Sequence, residues 1–222
     1  MRNLNAVCLD FIEDTVRFVA TDGMRLTYYD VQTENFEQQM PDNLEQILLP
    51  LSAVQFIKKH FKSSKTKTIA IKIGSSDISI ENEYVLYSAR LIQQTYPDYK
   101  RLINGLNEEV CIVNGNKDEF IKRLKLIEVL SEKGYTAVDL DINGEKLLIS
   151  IRNNNVGTGE FEIPCEIEGN VKLFLNPKML AQALQVMESE EVVLKFFGSD
   201  KPIVLLQKEN DNYLHLLMPM RG

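Results

Sequence analysis

The sequence contains no tryptophan, two histidines and three cysteines among its 222 residues. Cys8, Cys111 and Cys165 are odd in number and show no C-x-x-C spacing, which favours buried free thiols in a reducing compartment over a disulfide framework. His60 and His215 have no second histidine or paired cysteine near them in the sequence. A zinc site is therefore not expected, and we predict that the protein uses no metal and no other cofactor.

Long hydrophobic runs are also missing. No apolar stretch reaches the roughly 20 residues that a membrane helix needs, and the first residues, Met1-Arg-Asn-Leu-Asn, lack the apolar core of a signal peptide. We therefore predict a cytoplasmic protein that does not contact membranes. The net charge of -7 argues against a surface that is basic throughout, although it allows a local basic surface. With 44% hydrophobic residues, the chain can build two modest cores.

The sequence lacks the common catalytic motifs as well. It contains no G-x-G-x-x-G, no P-loop and no G-x-S-x-G pattern, and the pair Gly157-Thr-Gly159 is interpreted as a hairpin turn. Asp22, in Ala-Thr-Asp-Gly, is the one candidate nucleophile for a small α+β enzyme. An Asp-Gly turn between two strands explains the same residues more simply. We therefore predict that the protein is not an enzyme.

One pattern of elements occurs twice, in residues 46–80 and 171–206, about 125 residues apart. Each copy has a short apolar strand, an amphipathic helix, and two strands separated by a turn. In the first copy the helix carries Val54, Ile57 and Phe61 at helical spacing, and in the second copy Asn176-Pro177 opens the helix. The repeat is thus one of whole α+β units, not of short solenoid motifs.

The remaining elements follow from alternation and turn signals. Strands are predicted at residues 5–12, 16–20, 25–30, 84–89, 109–113, 137–142, 146–152, 161–167 and 212–217. Asn116, with Glu119 three residues later, has the spacing of a capping box and opens a helix from about Lys117 to Glu132, and Asn143-Gly144 predicts a hairpin turn. The second half therefore contains two successive β-α-β-β-β units, and the first half lacks the first strand and helix of this order.

A linker is predicted at residues 93–107, because Tyr96 precedes a proline and Asn104-Gly105 is a turn signal. This divides the chain into domains at residues 1–92 and 108–222. Lysines crowd the helices on both sides of it, at Lys58, Lys59, Lys62, Lys65, Lys67, Lys117, Lys122 and Lys125, together with Arg123. Such helices could contact a polyanion without reading bases, but on the charge pattern alone a solvated helix face is the favoured explanation.

Three stretches resemble the bacterial sliding clamp family, the β subunit of DNA polymerase III. They are Ala20-Thr-Asp-Gly-Met-Arg-Leu26, Tyr96-Pro-Asp-Tyr-Lys-Arg-Leu102 and Met218-Pro-Met-Arg221. The resemblance implies the DNA clamp fold, an α+β fold of repeated β-α-β-β-β units with helices on one face of antiparallel sheets. It covers essentially the whole chain. Residues 1–92 correspond to part of the middle clamp domain, without its first strand and helix, and residues 108–222 to the C-terminal domain.

The resemblance also implies a function. Family members are processivity factors that close as a head-to-tail homodimer around double-stranded DNA, without sequence specificity. Weak phosphate contacts from inner-helix lysines let such a ring slide, and we assign this role to Lys58, Lys62, Lys122 and Lys125. The chain itself lacks the family's first domain, so a second reading is a peptide-binding module that does not encircle DNA.

The family tethers polymerase subunits, the clamp loader and repair proteins through short linear motifs that enter a groove between its middle and last domains. The residues that this chain offers for the groove are Leu4, Thr21, Gly23, Met24, Arg25, Leu26, Pro97, Arg101, Leu102, Tyr135, Asn176, Met179, Pro202, Leu216, Leu217, Met218, Pro219, Met220 and Arg221. Most are apolar and a few are polar, the mixture typical of a peptide pocket.

Overall fold

The structure is a computed structural model, and it describes residues 5–35, 45–61, 69–130, 137–153, 157–208 and 210–221. The chain divides into two compact units. Unit 1 comprises Met1–Gly23 and Tyr28–Asp98, and unit 2 comprises Met24–Thr27 and Tyr99–Gly222. Both units are mixed α+β structures with antiparallel sheets, as predicted.

The first sheet of unit 1 has the strand order β3-β2-β1-β4. Its strands are β1 (Ala6–Ile12), β2 (Thr15–Thr21), the part of β3 (Arg25–Gln32) from Tyr28 onward, and β4 (Gln46–Pro50). A short 3-10 turn, Thr33–Asn35, follows β3. The Arg17 guanidinium donates two hydrogen bonds of 2.7 Å to the Asp30 carboxylate, a bidentate pair that links β2 to β3.

The second sheet of unit 1 has the order β5-β6-β7, formed by β5 (Ala70–Ile73), β6 (Asp77–Glu81) and β7 (Leu86–Arg90). Helix α1 (Leu51–His60) starts directly after β4, with Pro50 in extended conformation at its N-cap. Alternate strand residues enter one core, which contains Leu9, Val16, Ile47, Leu49, Ala53, Ile78, Ile80 and Leu91. The predicted repeat order, strand, helix and strands, is therefore confirmed in unit 1.

Unit 2 contains two sheets and three helices among its described residues. One sheet has the order β12-β8-β14-β15-β16, and the other has the order β11-β10-β9-β13. The strands are β8 (Cys111–Asn116), β9 (Val138–Ile142), β10 (Leu147–Asn153), β11 (Gly157–Ile163), β12 (Glu166–Gly169), β13 (Val171–Leu175), β14 (Glu191–Phe196), β15 (Ile203–Gln207) and β16 (Asn210–Leu217). The helices are α2 (Tyr99–Asn104), α3 (Lys117–Val129) and α4 (Pro177–Gln185).

Two asparagines open the long helices of unit 2, as the sequence predicts. Asn116 Oδ1 accepts the backbone N–H of Asp118 at 3.0 Å and of Glu119 at 3.4 Å. Asn176 Oδ1 accepts the N–H of Lys178 at 3.0 Å and of Met179 at 3.2 Å. Each cap satisfies backbone donors that the first helical turn leaves without intrahelical partners.

Helices α3 and α4 pack against each other and against one continuous core. Helix α3 contributes Phe120, Leu124 and Ile127, each at most 1% exposed. The spacing of these residues places them on one stripe of the helix, as predicted from periodicity. The opposite side of α3 faces solvent, so its polar residues remain available for other contacts.

The three cysteines are free thiols, as expected. Cys8 and Cys111 are buried, and Cys165 is half-buried. Burial raises the pKa of the Cys111 thiol to about 11, and burial also raises the pKa of Cys165 to about 11, with smaller contributions from Cys111 and Glu162. Both thiols are therefore protonated and weakly nucleophilic at neutral pH.

Three details differ from the sequence expectations. Gly157–Gly159 lies in strand β11 and does not form a hairpin turn; a Cβ at position 159 would collide with Leu130 Cδ1, so the glycine permits close packing. The strand predicted at residues 161–167 is two strands, because Pro164 has no N–H to donate to a sheet. The range 93–107 contains helix α2, which is too short for hydrophobic periodicity to reveal.

Within the described residues, no helix is both long and apolar enough to cross a membrane. The described part of the chain also contains no cluster of histidine, cysteine and acidic residues that could hold a metal ion. His60 is exposed at the end of α1, and His215 is 3% exposed within β16.

Candidate functional site

The predicted groove residues fall into three groups. Thr21, Gly23 and Pro97 belong to unit 1. Leu4 and Tyr135 lie outside the described residues. The remaining fourteen belong to unit 2, namely Met24, Arg25, Leu26, Arg101, Leu102, Asn176, Met179, Pro202, Leu216, Leu217, Met218, Pro219, Met220 and Arg221. Unit 2 therefore offers a defined surface that can be described by itself.

The C-terminal tail, residues 218–221, is held at two points after β16 ends. Met218 N–H donates to the carbonyl of Met24 at 2.8 Å, at the start of β3. Met220 N–H donates to the carbonyl of Phe174 at 2.7 Å, and the two residues form an isolated antiparallel bridge next to the end of β13. These bonds fix the path of a segment that would otherwise fray.

The side chains of this region separate into a buried base and an accessible layer. Leu26, Leu216, Leu217, Pro202 and Met220 are buried. Met24 is 39% exposed, and Met179, Met218 and Pro219 are half-buried. We call these four residues the methionine patch. These four side chains are apolar and partly accessible, which is what a short apolar peptide segment needs.

Polar contacts connect the start of β3 to the rest of unit 2. Arg25 Nη1 donates to Gln182 Oε1 on α4 at 2.8 Å. Thr27 Oγ1 lies 2.6 Å from Nδ1 of the buried His215 on β16. The short segment Met24–Thr27 is thus tied to α4 and to β16 by side chains, in addition to the backbone bond from Met218.

Asn176 and Pro202 support the same region from other elements. Asn176 caps α4 immediately before Pro177, and its cap fixes the first turn that carries Met179. Pro202 is buried and directly precedes β15, whose first residue Ile203 pairs with Leu217. Arg101 and Leu102 are exposed on α2, with Leu102 at 40%.

The turn at Thr21, Asp22 and Gly23 in unit 1 has a structural explanation. Thr21 Oγ1 accepts the backbone N–H of Gly23 at 3.1 Å, and Gly23 has φ +87°, a conformation that favours glycine. The side chain that closes the turn is therefore that of Thr21, whereas the Asp-Gly pair was the sequence signal for the turn. Pro97 is exposed and follows the buried Tyr96, whose hydroxyl donates to the Val19 carbonyl at 3.2 Å.

The basic residues of α3 play different roles. Lys117 Nζ donates to the Met187 carbonyl at 2.7 Å, and Arg123 contacts both Glu119, at 3.3 Å, and the Glu162 carbonyl, at 3.2 Å. Lys122 and Lys125 are exposed, and Lys122 Nζ is 3.9 Å from Glu119 Oε1. Because such a long surface pair contributes little, Lys122 and Lys125 are available to an external anion.

In unit 1, Lys58 is exposed in the last turn of α1. Lys59 and His60 extend the same basic end of the helix. Lys62, the other lysine predicted to face DNA in this unit, lies outside the described residues, as do Lys65 and Lys67.

Two family models match the chain. The model of the DNA polymerase III beta subunit central domain matches residues 2–98, and the model of its C-terminal domain matches residues 107–221. The chain belongs to the DNA polymerase III beta subunit family. The two matches together leave out residues 99–106, which contain helix α2.

Curated members of the beta subunit family support this membership. The chain is 28% identical over 205 residues to the beta sliding clamp of Staphylococcus epidermidis, covering 91% of this chain and 52% of that protein. It is 27% identical over 212 residues to the Staphylococcus aureus beta sliding clamp, covering 94% of this chain and 54% of that protein. The chain thus spans about half the length of the curated relatives it matches.

Solved structures of beta subunits share the fold. The Thermotoga maritima DNA polymerase III beta subunit superposes with a TM-score of 0.89 at 26% identity, covering 100% of this chain and 59% of that one. The Bacillus subtilis sliding clamp gives a TM-score of 0.90 at 22% identity, covering 100% and 57%. A Pseudomonas aeruginosa sliding clamp bound to griselimycin gives 0.89 at 23% identity, covering 98% and 57%. The α+β clamp fold predicted from the sequence is therefore confirmed.

Two participants in this candidate site were not predicted from the sequence. The Phe174 carbonyl accepts a hydrogen bond from the backbone N–H of Met220, and the Gln182 side chain accepts one from Arg25. No residue pattern predicts which backbone carbonyl accepts a hydrogen bond from the tail. Gln182 follows Met179 by three residues on α4, so helical spacing does place it on the same side of the helix as the patch.

Proposed function

We propose that the chain is a DNA sliding clamp subunit, or a fragment of one, and that it serves as a non-catalytic processivity factor. In this role it encircles duplex DNA and tethers DNA polymerase subunits, the clamp loader and repair proteins through a peptide-binding surface. We place it in the cytoplasm and, as in the family at large, in a head-to-tail homodimer. Family membership and the motifs at both ends of the chain support this proposal.

The observation that carries the peptide-binding part is the doubly anchored tail. Because Met218 and Met220 donate backbone hydrogen bonds to Met24 and Phe174, the backbone that carries Met218 and Pro219 follows a fixed path. Methionine side chains adapt to differently shaped apolar partners, which suits a surface that receives many peptides. Arg25 and Gln182 border the patch with polar groups that can orient a peptide carrying a glutamine.

The peptide-binding role is tested with a fluorescently labelled peptide that contains a glutamine followed by a leucine-phenylalanine pair. We expect saturable binding in the micromolar range, about -8 kcal/mol, measured by fluorescence anisotropy. Met218→Ala removes a half-buried side chain from the patch and should weaken binding about tenfold. The matched control is Val129→Ala, which truncates an exposed apolar residue of α3 in the same unit. Equal affinities of the two variants would contradict the assignment of the patch.

The DNA-facing role rests on the exposed lysines Lys58, Lys122 and Lys125, with Lys62 as a further candidate. We expect weak, sequence-independent binding to a short duplex at low salt, because each phosphate contact releases counterions. Lys122→Gln combined with Lys125→Gln should reduce the slope of log K against log salt by up to about 1.8, which is about 0.9 for each contact. The slope is measured by anisotropy over a range of salt concentrations.

The control for this experiment removes the same charge elsewhere in unit 2. Lys146 lies 3.3 Å from Glu162, and Lys172 lies 3.0 Å from Asp141. Lys172 alternates with the buried Leu173 along β13 and therefore faces away from the core. The pair Lys146→Gln and Lys172→Gln should leave the salt slope unchanged. A slope that falls as much in this variant would show that only net charge matters.

The second candidate is a peptide-binding module that does not encircle DNA. Fourteen of the predicted groove residues belong to unit 2, so this candidate requires only that unit to bind a peptide. A ring is topologically linked to circular DNA and slides off the end of linear DNA. A module that does not encircle DNA is retained on neither circular nor linear DNA. Retention on circular but not on linear DNA, after loading, would select the ring.

A further inference from the structure

The sulfur-bearing side chains of unit 2 differ in how they react with an oxidant. Among its described residues this unit contains two cysteines and five methionines, namely Cys111, Cys165, Met24, Met179, Met187, Met218 and Met220. A thiol reacts as its thiolate, whereas a thioether has no proton to lose and reacts through a sulfur lone pair at any neutral pH. The reactivity of the thiols therefore depends on their pKa and burial, and that of the methionines depends on exposure.

The two thiols are poorly suited to react with an oxidant. Cys111 is 1% exposed and Cys165 is half-buried. Burial raises the pKa of each thiol to about 11, so at neutral pH about one molecule in ten thousand carries a thiolate at either position. An oxidant that reaches unit 2 is therefore expected to react first with methionines.

The five methionines divide into an accessible set and a buried set. Met24 is 39% exposed, and Met179 and Met218 are half-buried. Met187 is only 3% exposed and Met220 only 7% exposed. All three accessible methionines belong to the methionine patch, and neither of the buried ones does.

The contrast is largest in the tail, where Pro219 alone separates an accessible methionine from a buried one. Met220 is buried, and its N–H donates to the Phe174 carbonyl at 2.7 Å. Met218 keeps a partly accessible side chain, while its N–H donates to the Met24 carbonyl at 2.8 Å. Because backbone atoms make this bond, a chemical change at the Met218 sulfur leaves both its donor and its acceptor intact.

Peroxides oxidise a thioether by oxygen transfer. A sulfur lone pair attacks one oxygen of hydrogen peroxide, so that an S–O bond forms while the O–O bond breaks. The departing hydroxide takes the proton of the transferred oxygen and leaves as water. The sulfur is oxidised by two electrons, the peroxide is reduced by two, and the methionine becomes a polar sulfoxide.

A sulfoxide makes the methionine patch polar at the positions that a peptide buries. Binding of an apolar peptide segment then removes a hydrogen-bond acceptor from water without supplying a donor, which opposes association. We propose that Met24, Met179 and Met218 form an oxidation site for peroxides, and that their conversion to sulfoxides prevents peptide binding at the methionine patch. This inference rests on the proposed peptide-binding function.

The modification is reversible by methionine sulfoxide reductases. In the reduction, a dithiol supplies two electrons and becomes a disulfide, the sulfoxide oxygen leaves as water, and the thioether is restored. The oxidation site therefore allows peptide binding to be lost under peroxide and regained afterwards.

The first measurement is the oxidation rate of each methionine in the full chain. The folded chain is treated with hydrogen peroxide, samples are quenched and digested, and tandem mass spectrometry resolves Met218 from Met220. We expect the three accessible methionines to oxidise at least about fivefold faster than the two buried ones, because access to sulfur differs between the sets. In urea that unfolds the chain, the five rates should become equal. Equal rates in the folded chain, or faster oxidation of the two thiols, would overturn the proposed site.

The second measurement is the affinity of the peroxide-treated chain for the labelled glutamine-containing peptide, by fluorescence anisotropy. We expect the affinity to fall at least about tenfold, and to return after treatment with methionine sulfoxide reductases and dithiothreitol. The circular dichroism spectrum should be the same before and after oxidation, because the backbone bonds of the tail are retained. Unchanged affinity, or a loss of affinity that accompanies unfolding, would contradict control of binding by oxidation.

Two leucine variants assign the effect to particular methionines. One combines Met24→Leu, Met179→Leu and Met218→Leu, and its affinity after peroxide is compared with the affinity of the same variant before peroxide. These two affinities should be equal, although the variant keeps its other methionines and all its cysteines. Met187→Leu removes a buried methionine outside the patch and is the matched control, so its affinity should fall on oxidation. A triple variant that loses affinity as the unsubstituted chain does would overturn the assignment.

Failure of this inference is distinguishable from failure of the proposed function. If the untreated chain does not bind the peptide, peptide binding and its control by oxidation both fail, while the oxidation rates still decide whether the site exists. If the untreated and the oxidised chain bind equally well, the proposed function stands and its control by oxidation fails.

Discussion

Phe120→Ala is expected to lower the free energy of unfolding of unit 2 by about 3–5 kcal/mol. Phe120 is 1% exposed on α3, and its ring packs closely on β8: a Cβ at Gly115 would lie 2.9 Å from Phe120 Cε2. The ring therefore fills the space above a glycine, between a helix and a strand that are both fixed by other contacts. The cavity left by alanine has little opportunity to collapse, so the substitution costs both transfer free energy and packing.

Native-state hydrogen exchange measures this loss separately for each unit, because it reports local opening free energies. The slowest amides of β8, β9 and β10 should exchange faster by the corresponding factor, while those of β1 and β2 keep their rates. Val129→Ala serves as the control on the same helix, since Val129 is 76% exposed and should change stability by no more than about 0.5 kcal/mol. Equal losses in the two variants would show that the core is more adaptable at Phe120 than its packing indicates.

Much of the fold was accessible from the sequence because local and tertiary preferences agree. Asn116 and Asn176 predict the starts of α3 and α4, because each side chain caps its helix by accepting backbone N–H groups within the next three residues. Asn143-Gly144 forms the expected hairpin, with Asn143 Oδ1 accepting the N–H of Lys146 at 3.0 Å and Gly144 at φ +87°. Alternation then places the buried residues of β9 and β10 on one face. The order of most strands and of helices α1, α3 and α4 therefore followed from residue patterns alone.

The missed features depend on contacts between residues distant in sequence. Gly157–Gly159 has the composition of a turn, but the space beside Gly159 is occupied by Leu130 of a different element. Helix α2 has a single turn and a half, which is too little for a periodic pattern. Tyr96 and Tyr99 are nevertheless buried, so residues 93–107 contribute to packing where the sequence indicated only a connection.

In the candidate site too, local sequence motifs were predictable and contacts between distant residues were not. The motifs Ala20–Leu26 and Met218–Arg221 identified the two segments that meet, but not how they meet. Backbone hydrogen bonds from Met218 to Met24 and from Met220 to Phe174 involve atoms that every residue has, so no side-chain pattern encodes them. Among the basic residues, composition could not separate Lys117 and Arg123, which hold carbonyl groups of the fold, from the exposed Lys122 and Lys125.

The repeat gives a further reason why unit 1 differs from unit 2. Isoleucines at positions 69, 71 and 73 follow the same alternation as Val192, Leu194 and Phe196. The sequence of β5 is therefore that of a strand with a covered face, whereas the structure leaves part of this face exposed. Residue type and environment therefore disagree at Ile69 and Ile71, whereas Val192 and Leu194 at the same points of the alternation are buried.

Gly169→Ala is expected to destabilise unit 2 by at least about 3 kcal/mol, the second large effect. Gly169 ends β12 at φ +91°, a conformation that costs an L-residue about 1–2 kcal/mol. A Cβ at this position would also collide with the Val110 carbonyl oxygen and lie 3.0 Å from Cys111 Cα. These are backbone atoms of Val110, just before β8, and of Cys111, the first residue of β8, so relief requires β12 to separate from β8, where Gly169 pairs with Cys111.

Gly144→Ala separates the cost of the backbone conformation from the cost of the collision with Val110. Gly144 has φ +87°, close to that of Gly169, but the nearest atom to its Cβ would be the Gly169 carbonyl oxygen at an ordinary 3.6 Å. The free energy of unfolding of this variant should therefore fall only by the conformational cost, about 1–2 kcal/mol. Urea unfolding followed by circular dichroism gives the total change, and hydrogen exchange in β12 and β8 locates it. If both variants lost the same free energy, the close approach of β12 to Val110 would not contribute to stability, and backbone conformation alone would explain the glycine.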